Sequence, residues 1–149
     1  MACVEASAHA MIIPMRSLLI LAAFGAFPTV ALADPCEGRL PSRPGQTFSG
    51  EVRYVGDGDS LCVGTSADPT AWIEVRMGDF DAPELNDPNG RRSRQFLIDL
   101  ARGRSVTCTA ERGRSGRVIS HDRVIATCRM NGRRLGDLLA ARGAPRGGT

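Results

Sequence analysis

Hydrophobic and polar positions alternate strictly over Trp72 to Met77, with Ile73, Val75 and Met77 on one face and Trp72, Glu74 and Arg76 on the other. That period of two predicts a half-buried strand. Thr47 to Val55 also reads as a strand, with Phe48, Val52 and Val55 as its apolar contacts. The turn signal Gly56-Asp57-Gly58-Asp59 follows it, and Ser60 to Val63 returns as a second strand, so the pair predicts a hairpin. The period changes at Arg91 to Arg102, where Phe96, Leu97 and Leu100 recur at helical spacing and Gly103 supplies a stop. Ser105 to Thr109 and Val118 to Cys128 predict two more strands around a Gly/Arg-rich loop, Glu111 to Arg117. A short final helix runs from Arg134 to Arg142, with Leu135, Leu138 and Leu139 apolar and Gly143 after it.

Three strands, a helix, two strands and a helix form an α+β order. It predicts an all-β barrel with helices, a five-stranded Greek-key barrel of the OB-fold type with two to three packed helices. The predicted organisation has an extended Pro/Gly-rich lead-in over 34–45, the barrel domain over 46–145 and a flexible, frayed tail over 146–149, loosening from Ala144.

Residues 1–33 follow a different pattern. Arg16 precedes an apolar run from Leu18 to Phe27, and Ala31-Leu32-Ala33 offers a small-residue cleavage site, which together predict a secretory signal peptide. The run is shorter than the roughly 20 residues of a permanent membrane helix. Export to the periplasm or medium after cleavage near Ala33, without a membrane anchor and as a monomer, is the expectation. Met11 and Met15 both precede Arg16, so translation could begin at either.

Cleavage leaves 116 of the 149 residues, enough for one modest core. It leaves 18 arginines against 15 acidic residues, a net charge of +3, too small by itself to argue for nucleic acid. The chain contains no lysine, which excludes P-loop and Schiff-base chemistry. Arginine-only usage suits bidentate phosphate binding, and a GC-rich genome accounts for it equally. His121 is the one histidine after residue 33, so catalysis by histidine bases or histidine-rich metal sites is hard to assemble. Four cysteines remain, Cys36, Cys62, Cys108 and Cys128, in no C-x-x-C spacing, which predicts two disulfides rather than zinc.

Carboxylates and arginines are left to carry chemistry. Asp57 and Asp59 lie in the first hairpin turn, and Asp79, Asp81 and Glu84 follow the third strand. Ordinary turn chemistry explains such residues, and so does an oxygen-donor site for Ca²⁺ or, less well, Mg²⁺. Arg76 and Arg123 lie within apolar strand sequence, where an arginine needs an acidic partner or a phosphate.

Gly58-Asp59-Ser60, then Val75-Arg76-Met77 with Asp81-Ala82-Pro83-Glu84, then Asp122-Arg123-Val124-Ile125-Ala126, resembles the thermonuclease (staphylococcal nuclease-like) family. The likeness continues through Leu135-Gly136-Asp137-Leu138-Leu139 and Gly143-Ala144, covering Phe48 to Pro145. The resemblance implies an OB barrel that hydrolyses DNA and RNA, favours unpaired strands and leaves 3′-phosphate ends. It implies Asp59, Asp81 and the Ala82 carbonyl as ligands to one Ca²⁺, Glu84 as general base or water-orienting group, and Arg76 and Arg123 on the scissile phosphate. His121-Asp122 replaces the family's usual Tyr-Gly, which makes His121 a candidate substrate contact and sets a carboxylate beside Arg123. Cys108 and Cys128 sit on strands flanking one loop and are expected to pair, leaving Cys36 for Cys62. The competing reading is a binding module of the same lineage that has lost catalysis. Its weakness is the poor stacking surface that Trp72, Tyr54, Phe48, Phe80 and Phe96 provide.

Overall fold

The computed structural model describes residues 34–147. The expected signal peptide and its cleavage site lie outside the described residues, as do Gly148 and Thr149. The elements in chain order are β1 (Thr47–Val55), β2 (Ser60–Gly64), a 3₁₀ turn (Pro69–Ala71), β3 (Ile73–Met77), α1 (Gly90–Ala101), β4 (Ser105–Ala110), β5 (Ile119–Ser120), β6 (Arg123–Met130), β7 (Arg133–Arg134) and α2 (Leu135–Ala141).

β1 pairs antiparallel with β2 and with β4, β2 pairs with β3, and β4 pairs with β6. A parallel pairing of β3 with β6 closes the ring, so five strands form a barrel of OB-fold type. Closure satisfies the backbone along both long strands and leaves no extended edge. β1 pairs with β4 along Thr47–Glu51 and with β2 along Glu51–Val55, where it carries a bulge. Val52 faces Val63 and Tyr54 faces Cys62, so one residue, Arg53, is extra on this strand. The bulge explains how Val52 and Val55, three residues apart, both point into the core, at 0% and 2% exposure.

Leu61, Val63, Val75, Met77, Val106 and Val124 complete the barrel interior with these two. Leu97 and Leu100 of α1 and Leu135 and Leu139 of α2 are buried in the same core. Gly103 follows α1 at φ 75°, the left-handed cap that a glycine adopts without strain. Both expected disulfides are present: Cys108 and Cys128 face each other across β4 and β6, and Cys36 reaches Cys62 on β2.

The structure corrects two expectations. The strand expected over Val118 to Cys128 is broken at His121 (φ 50°) and Asp122 (φ 59°), which turn the chain between Ser120 and its partner Arg123. Two consecutive left-handed residues are the signature of a type I′ hairpin. The expected frayed tail is packed down through Gly147. Ala144 is buried, Ser93 Oγ donates to the Pro145 carbonyl at 3.0 Å, and Gly147 N–H donates to the Asp81 carbonyl at 2.9 Å. Those backbone groups find partners on α1 and on the loop after β3 as far as Gly147.

Candidate active site

The β1–β2 turn and the loop after β3 meet at the mouth of the barrel. Asp57 shapes the turn: its N–H donates to the Ser60 hydroxyl oxygen at 3.2 Å, and its Oδ1 accepts the Asp59 N–H at 2.9 Å. Asp59 is thereby aimed inward, its side chain 4% exposed. Its Oδ2 accepts the Ala82 N–H at 2.8 Å, a bond spanning 23 residues that fastens turn to loop. Gly58 is required beneath this junction, because a Cβ there would strike the Ser93 hydroxyl and lie 2.5 Å from the Ala82 Cβ. Farther along the loop, Asp79 Oδ2 accepts the Gly136 N–H at the start of α2, at 3.2 Å. The loop is therefore held at both ends of the DFDAP segment.

Arg76 leaves the outer face of β3 between these acids. Its Nη2 lies 2.8 Å from Asp81 Oδ1 and its Nη1 lies 3.6 Å from Asp59 Oδ1. Arg123 is on the neighbouring strand, with Nη1 4.0 Å from Asp57 Oδ2 and Nε 3.9 Å from Glu74 Oε1. Burial pushes the Asp59 carboxyl up to about 7, and the charge of Asp57 adds to the rise, against the Ala82 N–H and Arg76. Burial also raises Glu74 to about 7, helped by the Asp34 carboxyl and opposed by Arg123. A cleft of about 480 Å³ opens beside Arg76 and Asp81 and is lined on its far side by Arg114, Ser120 and Arg146. Arg146 lies over the Phe80 ring at 4.8 Å.

Of the residues expected from the sequence, Asp59 and Asp81 are both brought to the Arg76 guanidinium, and Arg123 sits one strand away. Glu84 lies three residues beyond Asp81 in the same loop, with an exposed side chain and no ion pair among the described residues. Its backbone is fixed: its carbonyl accepts the Asp87 N–H at 2.8 Å and abuts Gly90. His121 is exposed at the corner of the β5–β6 turn, its Nδ1 3.0 Å from the Ser120 hydroxyl. The expectation for Arg76 as either ion-paired or phosphate-binding resolves to a paired resting state. Asp57 and Glu74, the acids that flank Arg123, had no assigned role in the sequence. The Asp-x-Asp turn was a signal for Asp57; nothing local marked Glu74.

The donor set at Asp59, Asp81 and Ala82 fits a hard cation. Asp59 is a buried carboxyl that resists ionisation, beside a second acid, and a divalent cation would offset that cost. The chain also leaves space there. A Cβ at Gly147 would lie 2.8 Å from the Ala82 carbonyl oxygen and 3.1 Å from Asp81 Oδ2, so any larger residue there would crowd both oxygens. Elsewhere among the described residues, potential donors of Asp34, Cys36 and Glu74 lie within 4.8 Å of one another, but the Cys36 sulfur is committed to its disulfide.

The architecture is thus an OB barrel whose mouth gathers acids and arginines. No protein-family model matches the chain. A micrococcal nuclease of Shigella flexneri is 40% identical to it over 73 residues, which are 48% of this chain and 40% of that protein. The chain spans less than half the length of that relative.

Proposed function

We propose that this chain is a metal-dependent nuclease that hydrolyses phosphodiester bonds of DNA, RNA or both. The observation that carries the reading is the meeting of Asp59 and Asp81 at the Arg76 guanidinium, with Arg123 on the adjacent strand. The partial likeness to a micrococcal nuclease supports it. Asp59, Asp81 and the Ala82 carbonyl would hold one Ca²⁺, which would supply Lewis-acid polarisation and a template for the phosphate.

The remaining chemistry belongs to the chain. Arg76 and Arg123 approach one phosphate from neighbouring strands and stabilise the charge that builds on its oxygens as water attacks. Arg76 exchanges its short contact with Asp81 for the phosphate, and Arg123 does so from two long contacts. Glu84, in no ion pair among the described residues and on a loop anchored by its own backbone, accepts the proton of the attacking water or orients it. Attack with departure of the 5′ oxygen leaves 3′-phosphate ends. Two disulfides suit a protein working where thiols are oxidised, in the periplasm or outside the cell.

Hydrolysis of denatured DNA by the refolded protein, with Ca²⁺ and with chelator, tests the reading alongside Glu84→Gln. Cutting that requires Ca²⁺ and falls about 10²- to 10⁴-fold in kcat in the variant is the expected outcome. A folded, disulfide-intact protein that binds single-stranded DNA but cuts with no divalent ion would establish the binding module instead.

A further inference from the structure

We propose that Glu74 is a positioning residue for Arg123, and that the Cys36–Cys62 disulfide controls it by fixing the Asp34 carboxyl against it. The significance of Arg123 rests on the nuclease reading; the coupling among the four groups does not.

The parallel register of β3 and β6 sets Val75 beside Val124, so one step back sets Glu74 beside Arg123 on the outer face. Glu74 Oε1 is 3.9 Å from Arg123 Nε, and the two side chains are 14% and 20% exposed. On its other side Arg123 has Asp57 at 4.0 Å. Both contacts are longer than a hydrogen bond, in contrast to the 2.8 Å between Arg76 and Asp81. Arg123 is therefore suspended between two acids without being consumed by either, and the charge on Glu74 decides how strongly it is drawn back.

That charge depends on the lead-in. The antiparallel register of β2 and β3 places Cys62 opposite Glu74, and Cys62 is the residue that Cys36 reaches. Two residues before Cys36, a carboxyl oxygen of Asp34 comes within 4.8 Å of one of Glu74. Gly38 N–H donates to the Trp72 carbonyl at 2.8 Å and continues the lead-in along β3. The groups facing Glu74 are Asp34 from the lead-in and Arg123 and Asp122 from the β5–β6 hairpin; Cys62 of β2 is in the disulfide and does not titrate. Two carboxyls this close disfavour double ionisation. Burial comes first and Asp34 second in raising Glu74 to about 7, so it changes charge near neutral pH. Protonated Glu74 releases Arg123 to a phosphate; ionised Glu74 competes for it. Cutting the cross-link lets Asp34 leave, favours ionised Glu74 and holds Arg123 back.

The test uses the full chain with residues 1–33 retained, so that no α-ammonium stands on Asp34 to offset its carboxyl, and two readouts. The first is the affinity for a labelled single-stranded oligodeoxynucleotide in Ca²⁺ at saturation, which keeps Asp59 ionised throughout, with kcat and KM on denatured DNA, from about pH 6 to about pH 9. Wild-type affinity falls about three- to tenfold as pH rises through the Glu74 transition, a KM effect larger than any on kcat, and Glu74→Gln removes that fall. Asp34→Asn, which keeps the disulfide, moves the transition to lower pH, and the Cys36→Ala/Cys62→Ala pair reproduces it. The second readout is the Arg123 Nε–H resonance, which titrates with Glu74 whether or not the protein cuts nucleic acid. A resonance indifferent to pH, or one that titrates unchanged in Glu74→Gln or Asp34→Asn, overturns the proposal. A titrating resonance in a protein that neither binds nor cuts nucleic acid upholds the coupling and sinks the nuclease reading.

Discussion

Asp59 shows how a functional residue works against the fold that holds it. Its carboxyl is 3% exposed as a residue and raised from 3.8 to about 7. The unfolded chain ionises it first, so between about pH 4 and about pH 7 the folded state binds more protons. Stability from this group is greatest below the unfolded value and is lost as pH rises to the folded one. Glu74, raised from 4.5 to about 7, adds to the same slope. In chelator, the melting temperature should therefore decline across that window. Asp59→Asn keeps an oxygen for the Ala82 N–H while removing the charge, so it should reduce the decline and melt above wild type at about pH 8. Adding Ca²⁺ should raise the wild-type melting temperature and leave the variant almost unmoved, as RT ln(1 + [L]/Kd) requires when Kd becomes large. A variant that melts below wild type in chelator at high pH would show that the buried charge is compensated better than the geometry indicates.

At the scale of elements, the site is built from junctions rather than from strands. The loop from β3 to α1 carries Asp81, Ala82 and Glu84, and α1 begins at Gly90, where a Cβ would collide with the Glu84 carbonyl. Gly90→Ala cannot be relieved by a side-chain rotation, because the obstacle is backbone. It should cost about 1–3 kcal/mol in denaturant unfolding, the usual penalty of overpacking. It should also lower kcat on the order of 10²-fold by moving the Glu84 loop, with little change in the far-UV spectrum. Unaltered kcat would mean that the loop position of Glu84 is immaterial to the chemistry.

Several of these junctions were legible in sequence and others were not. Asp57-Gly58-Asp59 announced its turn, since glycine and aspartate are turn formers for known reasons. His121-Asp122 gave a weaker signal: both residue types are enriched in the left-handed conformation and they lie in the polar stretch Ser120 to Arg123, but the apolar residues on either side read as one continuous strand. Asn131-Gly132, at φ 50° and 77°, is the more ordinary hairpin dipeptide and produced the short β7 pairing. The tail after Ala144 looked loose because Pro and Gly dominate it, yet its partners are the Ser93 hydroxyl on α1 and the Asp81 carbonyl of a distant loop, which composition does not encode.

For the whole molecule, barrel closure is what brings distant acids and arginines together. The parallel β3–β6 contact joins the halves of the chain, and the Cys108–Cys128 bond ties β6 to β4 beside it. Its two cysteines are 20 residues apart, so replacing them with alanine should cost about 2–5 kcal/mol. Equilibrium unfolding against wild type measures this. Since the bond constrains the unfolded chain and joins β4 to β6 at a pair that contains no site residue, kcat under folding conditions should stay near the wild-type value. A loss of kcat without loss of stability would show that the β4–β6 pair also sets the Arg123 position.

The sequence alone determined the elements up to β4 and the final helix, the barrel class, the residue types of the site and the supply of cysteines, because period, turn chemistry and composition are local properties. Tertiary structure alone decided that Arg76 rests on Asp81, that Arg123 hangs between Asp57 and Glu74, and that Asp34 reaches Glu74. Those relations depend on strand register and on where the lead-in crosses the sheet. A shift of one residue in either pairing would place different side chains together while leaving the local pattern of each strand unchanged.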